Sequence, residues 1–445
     1  MALGLFLLNG CATYQALVLS RGNVAKALRP PGDEALNIAA GKIKHPLLRP
    51  VRLDAKDGLS PDEAAVLAVL LNPALRATRD QCAEARAQLL KAGILPNPQL
   101  SGSLDFVTGG ATEGTNTGSA YGLSWDLKGL ITHGQEVAGA RAEEKSVRLD
   151  VAWEEWQTAL AAKSALYNVM ALDAEVALAA HISVRQAGNA KLVGKAADAG
   201  EMTVLESAAA ETSANDARAS LLDLQQEAGQ RHIALNRAIG YPPATRLRVQ
   251  GDAALPSRVD PPSERALLHG LEERRLDLLA LKRGYDSQDA KLRSAILAQF
   301  PNINIGFSRA VDTGNVHSLG PAITIELPVF DRNQGDIALE KATRKRLFDE
   351  YTNRIFQARA DIASALADIR ALNSRIADAE HALPALRRVV KISGKAVREG
   401  NAEVLGYYTA QDNLMRKSLD ILKLKQQLAQ ARIALETAAA WPLSS

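Results

Sequence analysis

The sequence predicts an internally duplicated α+β fold, in which very long helices lie side by side and carry four short strands. Three observations predict it. From Arg332 to about Arg398 no glycine occurs between Gly335 and Gly394, and Ile355, Ile362, Ile369, Ile376 and Leu383 recur every seven residues. Ala358, Ala365, Leu372 and Ala379 follow the first four of these by three places, which is an a/d seam at coiled-coil spacing. Such a rod would be about 95 Å long at 1.5 Å per residue. Second, a comparable rod is predicted from Gly134 to about Ala197. Third, each rod is preceded by two stretches in which apolar residues alternate with small or polar ones.

Composition narrows the class. Apolar residues make up 47% of the chain but aromatics only 4%, a balance that suits packed helices better than a compact mixed core. A net charge of +3 over 445 residues gives no electrostatic footprint for nucleic acid. Cys11 and Cys82 have no pair spacing, so neither a disulfide framework nor a zinc site is predicted. No run of 18 consecutive apolar residues occurs, which argues against an ordinary transmembrane helix.

Residues 1–11 form an apolar run ending in Gly10-Cys11, which reads as the back half of a secretion signal without its basic start. Leu8-Asn9-Gly10-Cys11 resembles a lipobox, in which cleavage precedes Cys11 and the thiol is lipidated; Asn9 departs from the small or apolar residue preferred there. Ala12, rather than an aspartate, follows the cysteine, and this implies sorting to an outer membrane.

Residues 12–60 hold Pro30-Pro31, Pro46 and Pro50 and no sustained period, so an extended arm is expected. Ser60-Pro61-Asp62-Glu63 then starts a helix expected to reach Ala92. Leu100, Leu104 and Phe106, followed by Tyr121, Leu123, Trp125 and Leu127, define a hairpin across a Gly/Thr/Asn-rich loop at 109–118. The first rod ends at a turn between Gly194 and Gly200, and a helix from Thr203 to Ala238 returns to Gly240-Tyr241-Pro242-Pro243. This completes a first repeat at 61–240, and a Pro-rich linker occupies 241–262. The second repeat, 263–440, runs in the same order. A helix to Ala298 precedes Ile303, Ile305 and Phe307, then a loop at 312–319, then Ile323, Ile325, Leu327 and Val329. The 332–398 rod, a turn at Gly400 and a helix with its own seam (Leu414, Ile421, Leu428, Leu435) close the repeat before the tail at 441–445.

The halves align at an offset close to 200: Gly200, Val204 and Leu205 match Gly400, Val404 and Leu405, and Ile233-Ala234-Leu235 matches Ile433-Ala434-Leu435. Ordered matches at near-constant spacing are the mark of duplication.

Four strands of this length can cross a bilayer when tilted, with their apolar faces on lipid and their polar faces on water. Four strands do not close a barrel, and an open edge is not tolerated in hydrocarbon. The reading is therefore an α+β membrane protein whose coiled-coil helices form a barrel of their own. Three chains would supply twelve strands to one closed β-barrel. Asp105, Asp126, Lys128 and Glu326 fall on the polar faces and are expected to line the pore. The competing reading is a lipid-anchored coiled-coil scaffold without a pore.

The chain resembles the TolC-type outer membrane efflux factors over nearly its whole length. The residues that carry the resemblance are Cys11, the 95–100 stretch Leu-Pro-Asn-Pro-Gln-Leu, the 327–335 stretch Leu-Pro-Val-Phe-Asp-Arg-Asn-Gln-Gly, and Arg398-Glu399-Gly400 with Val404-Leu405. The resemblance implies a homotrimer anchored in outer membrane lipid. Its helical tunnel would cross the periplasm to meet an adaptor protein and an inner-membrane pump, of the RND type. Residues 72–76 (Asn-Pro-Ala-Leu-Arg) and the Pro-Asn-Pro-Gln-Leu motif look most like the heavy-metal, CzcC/CusC-like branch. It further implies adaptor-contacting tips at Gly200, Arg398 and Gly400, and a ring of acids at the periplasmic entrance. Glu206 holds the acidic position of the first half, but Gly406 stands at its counterpart, so Glu403 and Glu399 are the candidate substitutes. The histidines, methionines and cysteines are scattered, and no nucleophile–base pair or phosphate loop occurs, so neither cofactor, metal site nor enzyme is expected.

Overall fold

The computed structural model describes residues 13–53, 58–110, 113–250 and 254–443; Cys11 and its lipobox lie outside them. Within the arm, expected to be irregular, two short helices form: α1 (Arg21–Ala27) and α2 (Asp33–Gly41). The Ser20 hydroxyl accepts from the Asn23 amide at 3.2 Å to start α1, and Leu36 and Ala40 of α2 are buried. Helices this short show too little periodicity to stand out in sequence.

The first repeat continues with α3 (Pro61–Leu71), α4 (Pro73–Ala92), β1 (Gln99–Asp105), β2 (Gly118–Asp126), α5 (Leu127–Asp198) and α6 (Val204–Ile239). Ser60 and Glu63 form the capping box that starts α3. The single helix expected to reach Ala92 is broken at Asn72, because Pro73 holds the preceding residue out of the helical region, at φ −58° and ψ 120°. Asn72 then caps the next helix, accepting from Ala74 N at 2.9 Å. The first rod also starts at Leu127, inside what was expected to be strand.

The second repeat comprises α7 (Glu264–Leu268), α8 (Leu271–Arg274), α9 (Leu276–Leu297), β3 (Ile303–Val311), β4 (His317–Ile325), α10 (Gln334–Arg398) and α11 (Val404–Ala439). Its leading helix, expected to be continuous to Ala298, is interrupted at Gly270, which adopts φ +66°, and again at Arg275. At 72 and 65 residues, α5 and α10 are about 110 and about 100 Å long. α10 passes unbroken through Pro384. One stretch of α5 is apolar enough by hydropathy to cross a membrane, but it is part of the rod that packs on α3, α4, α6, α9 and α11.

The heptad seam is the contact line between α10 and α11. Ala358, Ile362, Ala365, Ile369, Leu372, Ile376 and Ala379 are buried against Ile421, Leu424, Leu428 and Leu435. Trp153, Trp156, Leu160 and Leu166 of α5 form the larger core with Leu67, Leu71, Leu235, Ile239, Leu276 and Ile433, so this core spans both repeats. The four strands form one antiparallel sheet in sequence order, because β2 also pairs with β3.

A charged knot is sealed where the repeats meet. The Arg275 guanidinium, buried, donates to Asp277 through Nε at 2.9 Å and Nη2 at 2.7 Å, and to Ala438 O at 3.0 Å. Arg354 reaches the same carboxylate at 3.3 Å. The Trp153 ring lies 5.0 Å from the Arg275 guanidinium carbon. Asp277→Ala would leave a buried cation unpaired. A loss of about 3–5 kcal/mol is expected, measured by thermal or denaturant unfolding; a change within about 0.5 kcal/mol, ordinary for a surface site, would show that the pair is not sealed.

Candidate functional site

Two regions carry the predicted site residues: the turns that end the rods, and the sheet at the other end. The turns close in the same way. Gly200 (φ +76°) and Gly400 (φ +71°) take the left-handed conformation that glycine tolerates best. Beyond them, Glu201 N donates to Ala196 O and Asn401 N to Ala396 O, both at 2.8 Å. Arg398 is the last residue of α10 and Glu399 its C-cap; Glu399 pairs with Lys395 at 3.6 Å.

The acids are held differently in the two halves. Glu206 accepts from Thr203 N at 2.9 Å and from the Thr203 hydroxyl at 2.8 Å, while its own amide donates to that hydroxyl at 3.2 Å. It is the acid of a capping box on α6. The bonds from the Thr203 backbone and side chain hold its carboxyl below the usual value, and the group is therefore charged at neutral pH. Glu403 is the N-cap of α11 but makes no side-chain cap. No hydrogen bond or ion pair links Glu206, Glu399 and Glu403 among the described residues.

What fastens the two turns together is apolar. Val404 and Tyr408 of α11 are buried with Val193 of α5 and Ala210 of α6, and Met202 and Val397 pack around them. Tyr407 lies beside Tyr408 at 5.9 Å between ring centroids and over Gly394, where an added Cβ would stand 2.8 Å from Cε2 of its ring. Gln411 Nε2 donates to the Tyr407 hydroxyl. Periodicity marks Tyr407 and Tyr408 only as apolar. The available signal was the comparison of halves, in which Ser207-Ala208 stands opposite Tyr407-Tyr408 and Gly194 opposite Gly394.

In the sheet, the strands align their apolar positions into rows. Trp125, Ile305 and Ile323 form one row; Leu100, Leu123, Phe307 and Pro321 form the next. Most of these side chains are exposed. The opposite face carries Ser101, Ser103, Gly122, Ser124, Asn304, Gly306, Ser308, Gly320, Ala322 and Thr324, small or polar throughout. β1 and β4 each keep one edge unpaired.

Of the four residues assigned to the polar strand faces, two are not on strands. Lys128 belongs to the first turn of α5, where its amide donates to Asp126 Oδ1 at 2.9 Å. Glu326 follows the last residue of β4, and its amide donates to Asn302 O at 3.0 Å. Asp126 ends β2 and caps α5, which is why the helix begins there; Asp105 ends β1. The second loop is shorter than expected, since His317–Leu319 belong to β4, whereas β1 ends at Asp105 and leaves Phe106, expected on the strand, in the first connection. At the second strand-to-helix junction, Asp331 accepts from Asn333 N at 2.8 Å and Asn333 Nδ2 donates to Ala295 O at 2.8 Å. No group of three or more His, Cys, Asp or Glu suited to a metal ion occurs among the described residues.

Duplicated helical hairpins longer than a globular domain, topped by a sheet that shows its apolar face to solvent, define the fold. Residues 267–440 match the family model described as outer membrane efflux protein. No curated protein sequence matches the chain. Solved structures match it over nearly its full length. CusC, described for conformational changes accompanying folding and transmembrane channel formation, has a TM-score of 0.72 at 20% identity, covering 91% of this chain and 99% of its own. A membrane protein from Pseudomonas aeruginosa has a TM-score of 0.73 at 20% identity, covering 90% and 99%. The outer membrane protein VceC from Vibrio cholerae has a TM-score of 0.71 at 17% identity, covering 86% and 96%. At these identities the likeness establishes the fold.

Gly394→Ala is expected to push the Tyr407 ring off α10 and loosen the turns, destabilising the fold by about 1–3 kcal/mol as overpacking does. Limited proteolysis would read this as faster cleavage near Gly400. Unchanged cleavage would show that the ring has room to move.

Proposed function

We propose that the chain is the outer membrane duct of a tripartite efflux system, a homotrimer that conducts substrates passively across periplasm and outer membrane. The observation that carries the proposal is the sheet. Its apolar face is left bare, its other face is small and polar, and its two edges are unpaired. A bilayer accepts such a sheet only if the edges close on other copies. Three copies bring twelve strands, enough for a water-filled barrel. The rods of about 100 Å then extend away from the membrane, with the Gly200 and Gly400 turns at the far end as the contact for a periplasmic adaptor and, through it, an inner-membrane pump of the RND type. Family and structural relatives are channels rather than enzymes, and the duct needs no cofactor.

The finer assignments belong to the same reading. Cys11 is the lipid attachment site. Heavy-metal cations are the cargo suggested by residues 72–76 and 96–100; a duct has no need of a resident metal site to pass them. Asp105 and Asp126 sit at the two ends of the barrel lumen. Glu206, fixed and charged in its capping box, supplies a ring of three carboxylates at the entrance, with Glu403 and Glu399 nearby in sequence to the second turn.

Planar bilayers test both levels. The purified chain should give discrete single-channel conductance, and its absence would return the protein to the pore-less scaffold. Glu206→Ala should lower the preference for cations over anions, read as a shift in reversal potential under a salt gradient; an unchanged reversal potential would remove the acidic ring.

A further inference from the structure

One strongly basic side chain interrupts the apolar face of the sheet. Arg309 lies on β3 with Tyr121 of β2 on one side and Leu319 of β4 on the other. The two rows nearer the helices contain no charge on this face. One row farther out, diagonal to Arg309 and on the same face, His317 stands opposite Val311. Diagonal neighbours in an antiparallel pair are about 7–8 Å apart, so both side chains can reach one small anion between them.

Neither side chain makes a hydrogen bond or ion pair among the described residues, and the carboxylates near them are engaged elsewhere. Asp312 accepts from Gly314 N and Val316 N, each at 2.9 Å, and so holds the β3–β4 turn. Asp105 points to the opposite face of the sheet. A neighbouring copy does not supply Arg309 with a partner, because β3 is an inner strand flanked by β2 and β4 of its own chain.

Resting on the membrane-spanning reading above, we propose that Arg309, with His317 beside it, binds a phosphate of an anionic lipid in the outer leaflet. Arginine on the lipid face of a barrel is costly at the midplane and nearly free at the interface. Arg309 is three residues from Asp312 at the turn, or about 10 Å along the strand, and the turn is the end of the sheet farthest from the helices. That places the guanidinium at the depth of the headgroups, whose anionic groups are phosphates. A guanidinium offers phosphate two parallel donors, and Tyr121 beside it has the amphipathic ring suited to the same depth.

The test uses the full chain in detergent, titrated with bisphosphorylated lipid A or with the same lipid stripped of its phosphates, and reads bound lipid by native mass spectrometry. The wild-type protein should favour the phosphorylated lipid by about tenfold, the scale of one charge-assisted bond. Arg309→Leu should remove most of that preference, His317→Ala less, and Arg309→Lys should retain part of it. Should Arg309→Leu fail to assemble, Arg309→Gln removes the charge with a polar side chain of related length. Equal retention of the two lipids by the wild-type protein overturns the proposal, as does an intact preference in the Leu or Gln variant. Competition by inorganic phosphate alone would identify a free-anion site and overturn the lipid assignment. Wild-type conductance, measured in parallel, judges the channel reading separately: conductance without lipid preference removes only this proposal, and preference without conductance removes only the channel.

Discussion

The rods depend on a narrow line of small and branched side chains. Along α10, alanines, isoleucines and leucines share the buried positions from Ala358 to Ala379, and α11 answers with Ile421, Leu424, Leu428 and Leu435. Alanine lets the two backbones approach closely, and the branched residues fill the spaces between turns. A seam this thin buries only one stripe of each helix. Leu339, Phe348 and Phe356 of α10 and Leu90 of α4 are left exposed, as are the apolar rows of the sheet. Both parts of the molecule are thus incomplete in the same sense: the sheet lacks neighbours for its edges, and the rods lack neighbours for their outer stripes. One set of additional copies around a common axis would supply both.

The duplication supplies the frame on which the halves then differ. Gly240 and Ala440 occupy equivalent places and both adopt the left-handed conformation. Asn236 donates to Pro243 O and Thr245 O at 3.0 and 2.8 Å. At the same place in the second half stands Glu436, fully buried and paired with Arg432 at 3.1 Å and Lys163 at 3.7 Å. Lys163 comes from α5, so this substitution turns a local cap into a tie between repeats. The tips diverge similarly, with Ser207 against Tyr407 and Glu206 against Gly406. The duplicated backbone is retained where turns and seams need it, and the side chains differ where the two halves face each other.

Much of this fold was legible because its rods repeat one local rule many times. The seven-residue spacing picked out Ile362, Ile369 and Ile376, and all three are buried. Alternation picked out Leu123, Phe307 and Ile323, which share one face. The failures are local overrides of those rules. Pro73 breaks a helix whose apolar period continues past it, and Asp126 starts a helix that moves Lys128 off the strand. The contact of Tyr408 with Val193 and Ala210 was not legible, because no periodicity within one segment reports on packing between elements some 200 residues apart. The role of Glu206 was legible in a different form, since Thr203-x-x-Glu206 is a capping-box signature as well as an acid near a turn.

That double reading of Glu206 bears on how an entrance built from these tips would work. A carboxylate engaged by both the amide and the hydroxyl of Thr203 keeps its charge but surrenders its freedom to reach across to another element. In the proposed duct, Glu206 therefore supplies a fixed field at the opening, attractive to cations and insensitive to small movements of the turn. The part that joins the two hairpins is the Val193, Ala210, Val404 and Tyr408 contact, with Tyr407 braced on Gly394. Apolar contacts have no directional partner to lose. In the proposed duct, charge and contact would thus rest on different residues at these tips: Glu206 belongs to the first repeat, and the apolar contact needs Val404 and Tyr408 of the second.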